Sequence, residues 1–441
     1  MTKLTVLGTG YLGATHAACM AELGHEVLGV DIDEGKIAKL QEGQVPFFEP
    51  ELEEVLQRNI KAGRLRFSTS YREAAEWGAA HFLCVGTPQK RGEYAADLRY
   101  VESVIDELAP HITEPAVIYG KSTVPVGTAA RLGERARALS PAGERLEVAW
   151  NPEFLREGFA VGDTLHPDRL VVGIDPQRPG RAEELIREIY ATAIAAQTPF
   201  LVTDLATAEL VKVAANAFLA TKISFINAMA ELCEAADADV TVLADAIGHD
   251  ARIGRRFLNA GLGFGGGCLP KDIRAFMARA GELQAHQALT FLREVDNVNM
   301  RRRTRMVELT RETFDGSLIG TRLAVLGAAF KPDSDDVRDS PALNVAGQLQ
   351  LQGANVTVYD PQAMDNARAL FPTLEYATSL TEACAGADAV LVLTEWQQFR
   401  ELDPAALADL VRSTRMLDGR NCLDAQRWTA AGWTYRGLGR Y

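Results

Sequence analysis

The chain has 441 residues and sets 46 Lys and Arg against 59 Asp and Glu, a formal charge of −13 at pH 7. Its 47% hydrophobic and 24% charged content is that of a globular chain of about two to four domains. A net acidic chain makes a poor general nucleic-acid binder, since phosphate affinity comes from clustered Lys and Arg. No apolar run of about 18 residues is expected to span a membrane, and residues 1–7 enter a strand pattern rather than a secretory signal. The six cysteines (Cys19, Cys84, Cys233, Cys268, Cys384, Cys422) are scattered with no Cys-x-x-Cys pair, and the seven histidines form no His-x-x-x-His pair. Neither a disulfide framework nor a metal site is expected, and reduced thiols fit the cytoplasm.

The first thirty residues read as a β-α-β unit. A short strand at 4–7 leads into Gly8-Thr9-Gly10-Tyr11-Leu12-Gly13, and a helix follows to about Leu23, stopped by Gly24. A second strand at 26–30 ends on Asp31. Apolar runs at 80–85, 116–119, 146–150 and 170–173, each separated by helix-length sequence, continue a parallel sheet. From Asp204, a candidate cap, an Ala-rich helix runs to about Asp237, and helical sequence dominates to about residue 313. A second α/β unit begins near Thr321, with strands at 323–327, 356–360 and 389–394 and a helix at 341–352. The fold class expected is α/β: two Rossmann-like doubly wound domains joined by a helical middle with one long central helix. The expected domains are 1–203, 204–315 and 316–441. No solenoid period or low-complexity segment interrupts them.

Gly8-x-Gly10-x-x-Gly13 follows a strand and opens a helix, and an acid closes the next strand. The glycines allow a tight turn and close approach of a pyrophosphate to the helix N-terminus. Asp31 would accept from a ribose 2′-hydroxyl and repel a 2′-phosphate, which favours NAD over NADP. The bland alternative is a tight turn that binds nothing. The second unit has one glycine, Gly327, where the first has three, so a different ligand is expected there. Five glycines within residues 261–267 precede Cys268-Leu269-Pro270-Lys271-Asp272. Pro270 suits the first turn of a helix, which would place Cys268 at a helix N-terminus, where a thiol pKa falls. Asp272 follows at i+4 on the same face. Glu153 and Glu157 would share a face for proton handling if 151–158 were helical, or else mark a solvated helix start. Lys212 and Asn216, also i, i+4, lie in an apolar stretch where the lysine either snorkels or faces a site as an electrophile.

Together these segments resemble the UDP-glucose/GDP-mannose dehydrogenase family over residues 3–424. The resemblance rests on the glycine turn, Val85-Gly86-Thr87-Pro88, Lys121-Ser122-Thr123-Val124-Pro125-x-Gly127-Thr128, Asn151-Pro152-Glu153-Phe154-Leu155-Arg156-Glu157-Gly158, the Cys268 loop and Phe330-Lys331-Pro332-Asp333. It implies oxidation of a nucleotide sugar at C6 to a carboxylate in two NAD-linked steps through a cysteine thioester, with UDP-glucose as substrate and UDP-glucuronate as product. In that reading Cys268 is the nucleophile, Lys212 and Asn216 stabilise oxyanions, Asp272 and Thr123 position water and move protons, and Glu153 assists thioester hydrolysis. The implied cofactor contacts are Gly8, Gly10, Tyr11, Leu12, Gly13, Asp31, Lys36, Thr87, Thr123, Glu157 and Arg338. The implied sugar-nucleotide contacts include Glu153, Phe154, Leu155, Glu157, Lys212 and Asn216, and the loop residues Asn259, Gly261, Leu262, Gly263, Phe264 and Gly265. Phe330, Lys331 and Arg420 complete them, with Arg252 reaching in from a neighbouring subunit; surface charge is the bland alternative for Arg252 and Arg420. The family usually has Ser before the nucleophile and Phe after it, whereas this chain has Gly267 and Leu269. Leu269 is a feature of GDP-mannose dehydrogenases, while Arg252-Ile253-Gly254-x-x-Phe257-Leu258 is more like the UDP-glucose branch. GDP-mannose is therefore the alternative substrate, and a non-catalytic NAD-binding protein or a simple two-electron dehydrogenase the alternatives outside that chemistry. The apolar surface of the long helix suggests a homodimer.

Overall fold

The computed structural model describes residues 1–178, 180–285 and 287–440. These fall into two compact units, Met1–Ala215 with Arg274–Gln284, and Asn216–Ile273 with Ala285–Tyr441.

In the first unit the apolar runs become β1 (Lys3–Leu7), β2 (Glu26–Val30), β4 (Ala80–Leu83), β5 (Ala116–Gly120), β6 (Leu146–Trp150) and β7 (Leu170–Ile174). Two further strands, β3 (Leu65–Ser68) and β8 (Phe200–Asp204), close the edges of a sheet ordered β3-β2-β1-β4-β5-β6-β7-β8. The strand order reverses at β1, which opens a crevice at the carboxyl ends of β1 and β4. The central strands read as continuous apolar runs because both faces are covered. Val6, Phe82 and Tyr119 pack on one side with Ala14, Ala17 and Ala18 of the Tyr11–Glu22 helix, and Leu7, Leu83 and Ile118 pack on the other with Val101 and Ile105.

The expected all-parallel sheet requires a correction. β6 and β7 meet antiparallel through Trp150 and Gly173, and β7 and β8 are parallel to each other. A parallel return needs a crossover, usually a full helix. Residues 151–169 contain only the short Ala160–Leu165 helix, so the chain turns back instead.

The Leu205–Ala236 helix begins where expected, with Asp204 accepting from the Thr207 N–H at 2.9 Å. By length and composition it is apolar enough to cross a membrane, which corrects the expectation that no such run exists. Its hydropathy comes from many alanines together with core residues such as Val213, Ala220 and Ile226, which are buried within the protein.

The second unit holds a six-stranded sheet in which every pairing is parallel, ordered β11-β10-β9-β12-β13-β14. Its strands are β9 (Arg322–Leu326), β10 (Asn355–Tyr359), β11 (Glu375–Tyr376), β12 (Ala389–Val392), β13 (Arg415–Asp418) and β14 (Thr434–Gly437). The Pro341–Leu351 helix is capped by Ser340, which accepts from the Leu343 N–H. β3, β8, β11, β13 and β14 escaped the sequence reading because none carries a long apolar run.

Candidate active site

Within the first unit, the glycine turn lies at the end of β1. A Cβ on Gly13 would lie 1.8 Å from the Gly8 carbonyl oxygen, so helix and strand are in backbone contact there. Gly10 differs: a Cβ there would meet nothing within 4 Å, although Gly10 caps the helix without any side-chain hydrogen bond. The protein's own packing therefore does not require glycine at position 10. The space there is open to a ligand brought against the helix N-terminus, whose first-turn N–H groups suit a pyrophosphate. Asp31, 8% exposed, accepts from the Thr9 N–H at 2.8 Å, from the Asp33 N–H at 3.1 Å and from Lys36 at 2.9 Å. Burial works against its ionisation, but Lys36 and the two N–H groups outweigh that and hold the carboxyl below its ordinary range. Glycine turn, ionised acid and neighbouring lysine fit the adenosine end of NAD.

Tyr11 donates from its hydroxyl to Glu49, and burial together with Glu49 pushes the phenol upward. Glu49 also accepts from the N–H groups of Gly158 and Ala160, both at 2.6 Å. The glycine turn and the end of the 151–158 segment are thus joined through one buried carboxylate. That segment is not helical, which overturns the shared helix face for Glu153 and Glu157. Pro152 lacks an N–H, the Glu153 carboxylate takes the Leu155 N–H at 2.7 Å, and Gly158 turns at φ +80°. Glu153 faces Lys212 instead, with Nζ 3.0 Å from its carboxylate, and both side chains are largely buried. Lys212 also stands 5.7 Å from the centre of the Phe154 ring. The lysine does not snorkel into solvent. Glu157 is half-buried, and Leu12 and Leu155 line a small cavity with Glu153 and Phe154. Thr87 donates to the Thr123 carbonyl at 2.7 Å, which links the ends of β4 and β5.

Within the second unit, Cys268 is exposed and sits immediately before the Leu269–Glu282 helix, as expected. Cys19, Cys84, Cys233 and Cys384 are buried, and burial pushes the Cys84 and Cys384 thiols up to about 12. Asp272 is 2% exposed and accepts from Asn216 at 2.7 Å and Lys271 at 2.6 Å. The glycine loop is shaped by buried asparagines that the sequence reading missed. Asn227 accepts from the Gly261 N–H at 2.9 Å, and Asn299 accepts from the Phe264 N–H at 2.7 Å while donating to its carbonyl at 2.9 Å. A Cβ on Gly263 would meet Asn299 at 2.1 Å, and φ there is +84°. Leu262 and Phe264 are buried, and a Cβ on Gly265 would meet the Asp339 carbonyl at 2.4 Å. A side chain at Gly267 would meet the Arg338 guanidinium at 2.3 Å, so the arginine fills the space a serine would use. Arg338 itself is held by Asp336.

The remaining expected residues are spread over the second unit. Lys331 lies over the Phe330 ring at 5.5 Å. Arg420 is no surface charge: its guanidinium donates to the carbonyls of Leu393, Gly263 and Phe330 at 2.8, 2.9 and 3.1 Å, bracing the loop from below. Arg252 is 89% exposed and pairs with Asp250, two residues away, and Asn259 is exposed and takes Arg255. Asn227 alone carried a sequence signal, a polar residue within the apolar 223–230 stretch; Glu49 lies in a loop and Asn299 on a polar, arginine-rich helix, where nothing local marks them.

The same organisation appears in known proteins. Residues 2–194, 206–301 and 324–425 match the NAD binding, central and UDP binding domains of the UDP-glucose/GDP-mannose dehydrogenase family. UDP-glucose 6-dehydrogenase of Rhizobium meliloti is 43% identical over 439 residues, covering 99% of each chain. UDP-glucose 6-dehydrogenase YwqF of Bacillus subtilis is 39% identical over 440 residues, covering 99% of this chain and 98% of the relative. Among solved structures, a UDP-glucose dehydrogenase from Pyrobaculum islandicum superposes with a TM-score of 0.91 at 38% identity, over 100% of this chain and 98% of that one. A GDP-mannose dehydrogenase from Pseudomonas aeruginosa gives 0.54 at 28% identity, over 99% of both. With its glycine turn, ribose-side acid and cysteine loop all in place, the chain belongs to the UDP-glucose/GDP-mannose dehydrogenase family and is an NAD-dependent enzyme acting on a nucleotide sugar.

Proposed function

We propose that this enzyme oxidises the C6 alcohol of UDP-glucose to the carboxylate of UDP-glucuronate in two steps, through a thioester on Cys268. The carrying observation is the placement of Cys268, exposed at the head of a helix whose first turn also presents the buried Asp272. NAD, when bound, accepts one hydride at each oxidation. In the first, the C6 hydroxyl loses its proton and the carbon its hydride, leaving an aldehyde. The Cys268 thiolate adds to that carbonyl carbon, and Lys212 with Asn216 stabilises the oxyanion by charge and hydrogen bonding. Loss of the second hydride gives the thioester. Water then attacks the acyl carbon, with Asp272, Thr123 and Glu153 handling its protons, and the thiolate leaves. The sum is one sugar, two NAD+ and one water giving one carboxylate, two NADH and three protons.

The assignment of UDP-glucose over GDP-mannose is supported by the higher identity and TM-score of the UDP-glucose enzymes. Gly8, Gly10, Tyr11, Leu12, Gly13, Asp31, Lys36, Thr87, Thr123, Glu157 and Arg338 remain the proposed cofactor residues. The proposed sugar-nucleotide residues remain 153–155, Glu157, Lys212, Asn216, Arg252, Asn259, 261–265, Phe330, Lys331 and Arg420. We retain the division 1–203, 204–315 and 316–441, a cytoplasmic setting and a homodimer. Phe218, Phe225 and Leu232, exposed at seven-residue spacing on the Leu205–Ala236 helix, are the apolar surface a second copy would cover. The test is NADH yield with limiting UDP-glucose and excess NAD. Two NADH per sugar, lost in Cys268→Ala, is expected. One NADH per sugar would remove the thioester, and no turnover with UDP-glucose but turnover with GDP-mannose would replace the substrate.

A further inference from the structure

The turn that follows Thr123 is held in an unusual way. Gly127, at φ +92°, caps the Thr128–Leu139 helix and has no side chain to satisfy the first-turn N–H groups. Glu209 supplies what is missing, its two carboxylate oxygens accepting from the Gly127 and Ala129 N–H groups, each at 2.7 Å. Glu209 is 2% exposed. Burial pushes its carboxyl up to about 7, against the N–H groups of residues 127–129 and the charge of Arg279, which pull it down. From the other side, Arg279 donates through Nε and Nη2 to the Val126 carbonyl at 2.9 and 2.7 Å. A Cβ on Gly127 would lie 3.1 Å from that guanidinium.

The origin of the two side chains gives the arrangement its meaning. Glu209 precedes Lys212 by three residues on the Leu205–Ala236 helix. Arg279 follows Asp272 by seven residues, two turns, on the Leu269–Glu282 helix. Each helix that carries a proposed catalytic group thus also sends a charged side chain to the turn behind Thr123. An ordinary N-cap would have needed only Asp or Ser in place of Gly127.

We propose that Glu209 and Arg279 are positioning residues that fix Thr123 by gripping residues 126–129 from two helices. Neither needs to touch the substrate. The inference rests on Thr123 belonging to the cofactor and catalytic machinery, as proposed above. Loss of either grip would let the 123–129 turn move and misplace Thr123, and misplacement of this order costs about tenfold or more.

The experiment compares Glu209→Gln, Glu209→Asp, Arg279→Lys and Thr123→Ala in the full-length enzyme. It measures NAD dissociation constants by calorimetry, kcat and KM with UDP-glucose, amide exchange of residues 121–131, and melting temperature as a folding control. Glu209→Gln keeps the shape of the side chain but turns an NH2 toward one N–H, and is expected to lower kcat/KM for NAD about tenfold. It should also speed exchange at residues 127–131. Glu209→Asp should recover part of the loss, and Arg279→Lys should lose less than Glu209→Gln. Combined with Thr123→Ala, Glu209→Gln should add little further loss, because both act through the same group. If Glu209→Gln destabilises folding too far to assay, Arg279→Lys carries the same non-additivity test. Full additivity with Thr123→Ala, or unchanged kinetics in folded Glu209→Gln and Arg279→Lys, would overturn the positioning role while leaving Thr123 in the site. Unchanged NAD binding and turnover in Thr123→Ala alone would remove Thr123 from the machinery, and the proposal with it.

Discussion

The two sheets build the same device and use it differently. β1 and β9 each run into a glycine of positive φ, Gly8 at +89° and Gly327 at +115°. In each, the neighbouring strand ends on an aspartate that reaches back to the turn. Asp31 takes one turn N–H, from Thr9, and shares its charge with Lys36. Asp360, 1% exposed, takes the N–H groups of Ala328, Ala329, Gln362 and Ala363 and the Trp396 indole N–H. The second turn is closed further by the Ser340 hydroxyl on the Ala328 carbonyl and by the Thr394 hydroxyl on that of Ala329. The first leaves open space at Gly10. A strand–turn–helix unit therefore offers its turn N–H groups to a pyrophosphate only where the protein leaves the turn unfilled. In the second sheet the acid is a structural brace.

The comparison would break most visibly at the glycines. Gly13→Ala forces a methyl into a backbone oxygen 1.8 Å away and is expected to cost more than about 3 kcal/mol, read by denaturant unfolding. Gly10→Ala meets open space, so its stability should change by less than about 1 kcal/mol. Its NAD affinity, measured by calorimetry, should nevertheless fall more than about tenfold as the methyl enters the ligand's space. Equal destabilisation by both variants would remove the distinction between packing and ligand glycines.

The acids offer the next contrast. Asp360→Asn disturbs a buried carboxylate with five donors and is expected to cost about 2–3 kcal/mol, with NAD affinity unchanged. Asp31→Asn should cost less than about 1 kcal/mol, weaken NAD about tenfold and narrow the preference over NADP. The smallest effect concerns acid. Because the folded state holds Asp31 below its ordinary carboxylate range, its contribution is present above that range and is lost as pH falls through the lowered value. Asp31→Asn should therefore flatten the acid limb of the unfolding curve below about pH 4, where the unfolded group takes up its proton.

How much of this was legible follows from the range of each interaction. The glycine turn, Asp31, the start of the 205–236 helix and the position of Cys268 before a helix all depend on residues within a few positions of one another, and all were read from the sequence. Whether 151–158 is helical could not be read from spacing, because the partners that hold it extended, Glu49 for the Gly158 and Ala160 N–H groups and Lys212 for Glu153, come from distant parts of the chain. The antiparallel β6–β7 pairing was missed for a related reason: strand direction depends on how the intervening segment packs, not on the strand's own residues.

By itself the sequence determined the α/β class, two Rossmann-like units, the family and the placement of the Cys268 loop before a helix. These are set by local periodicity, turn chemistry and motif spacing. Only the tertiary structure decided which aspartate is a brace, which glycine is left open, that Arg420 is spent on carbonyls, and that Glu209 caps a helix eighty residues away in sequence. Each of these depends on which distant group satisfies a buried polar atom, and burial is a property of the folded chain.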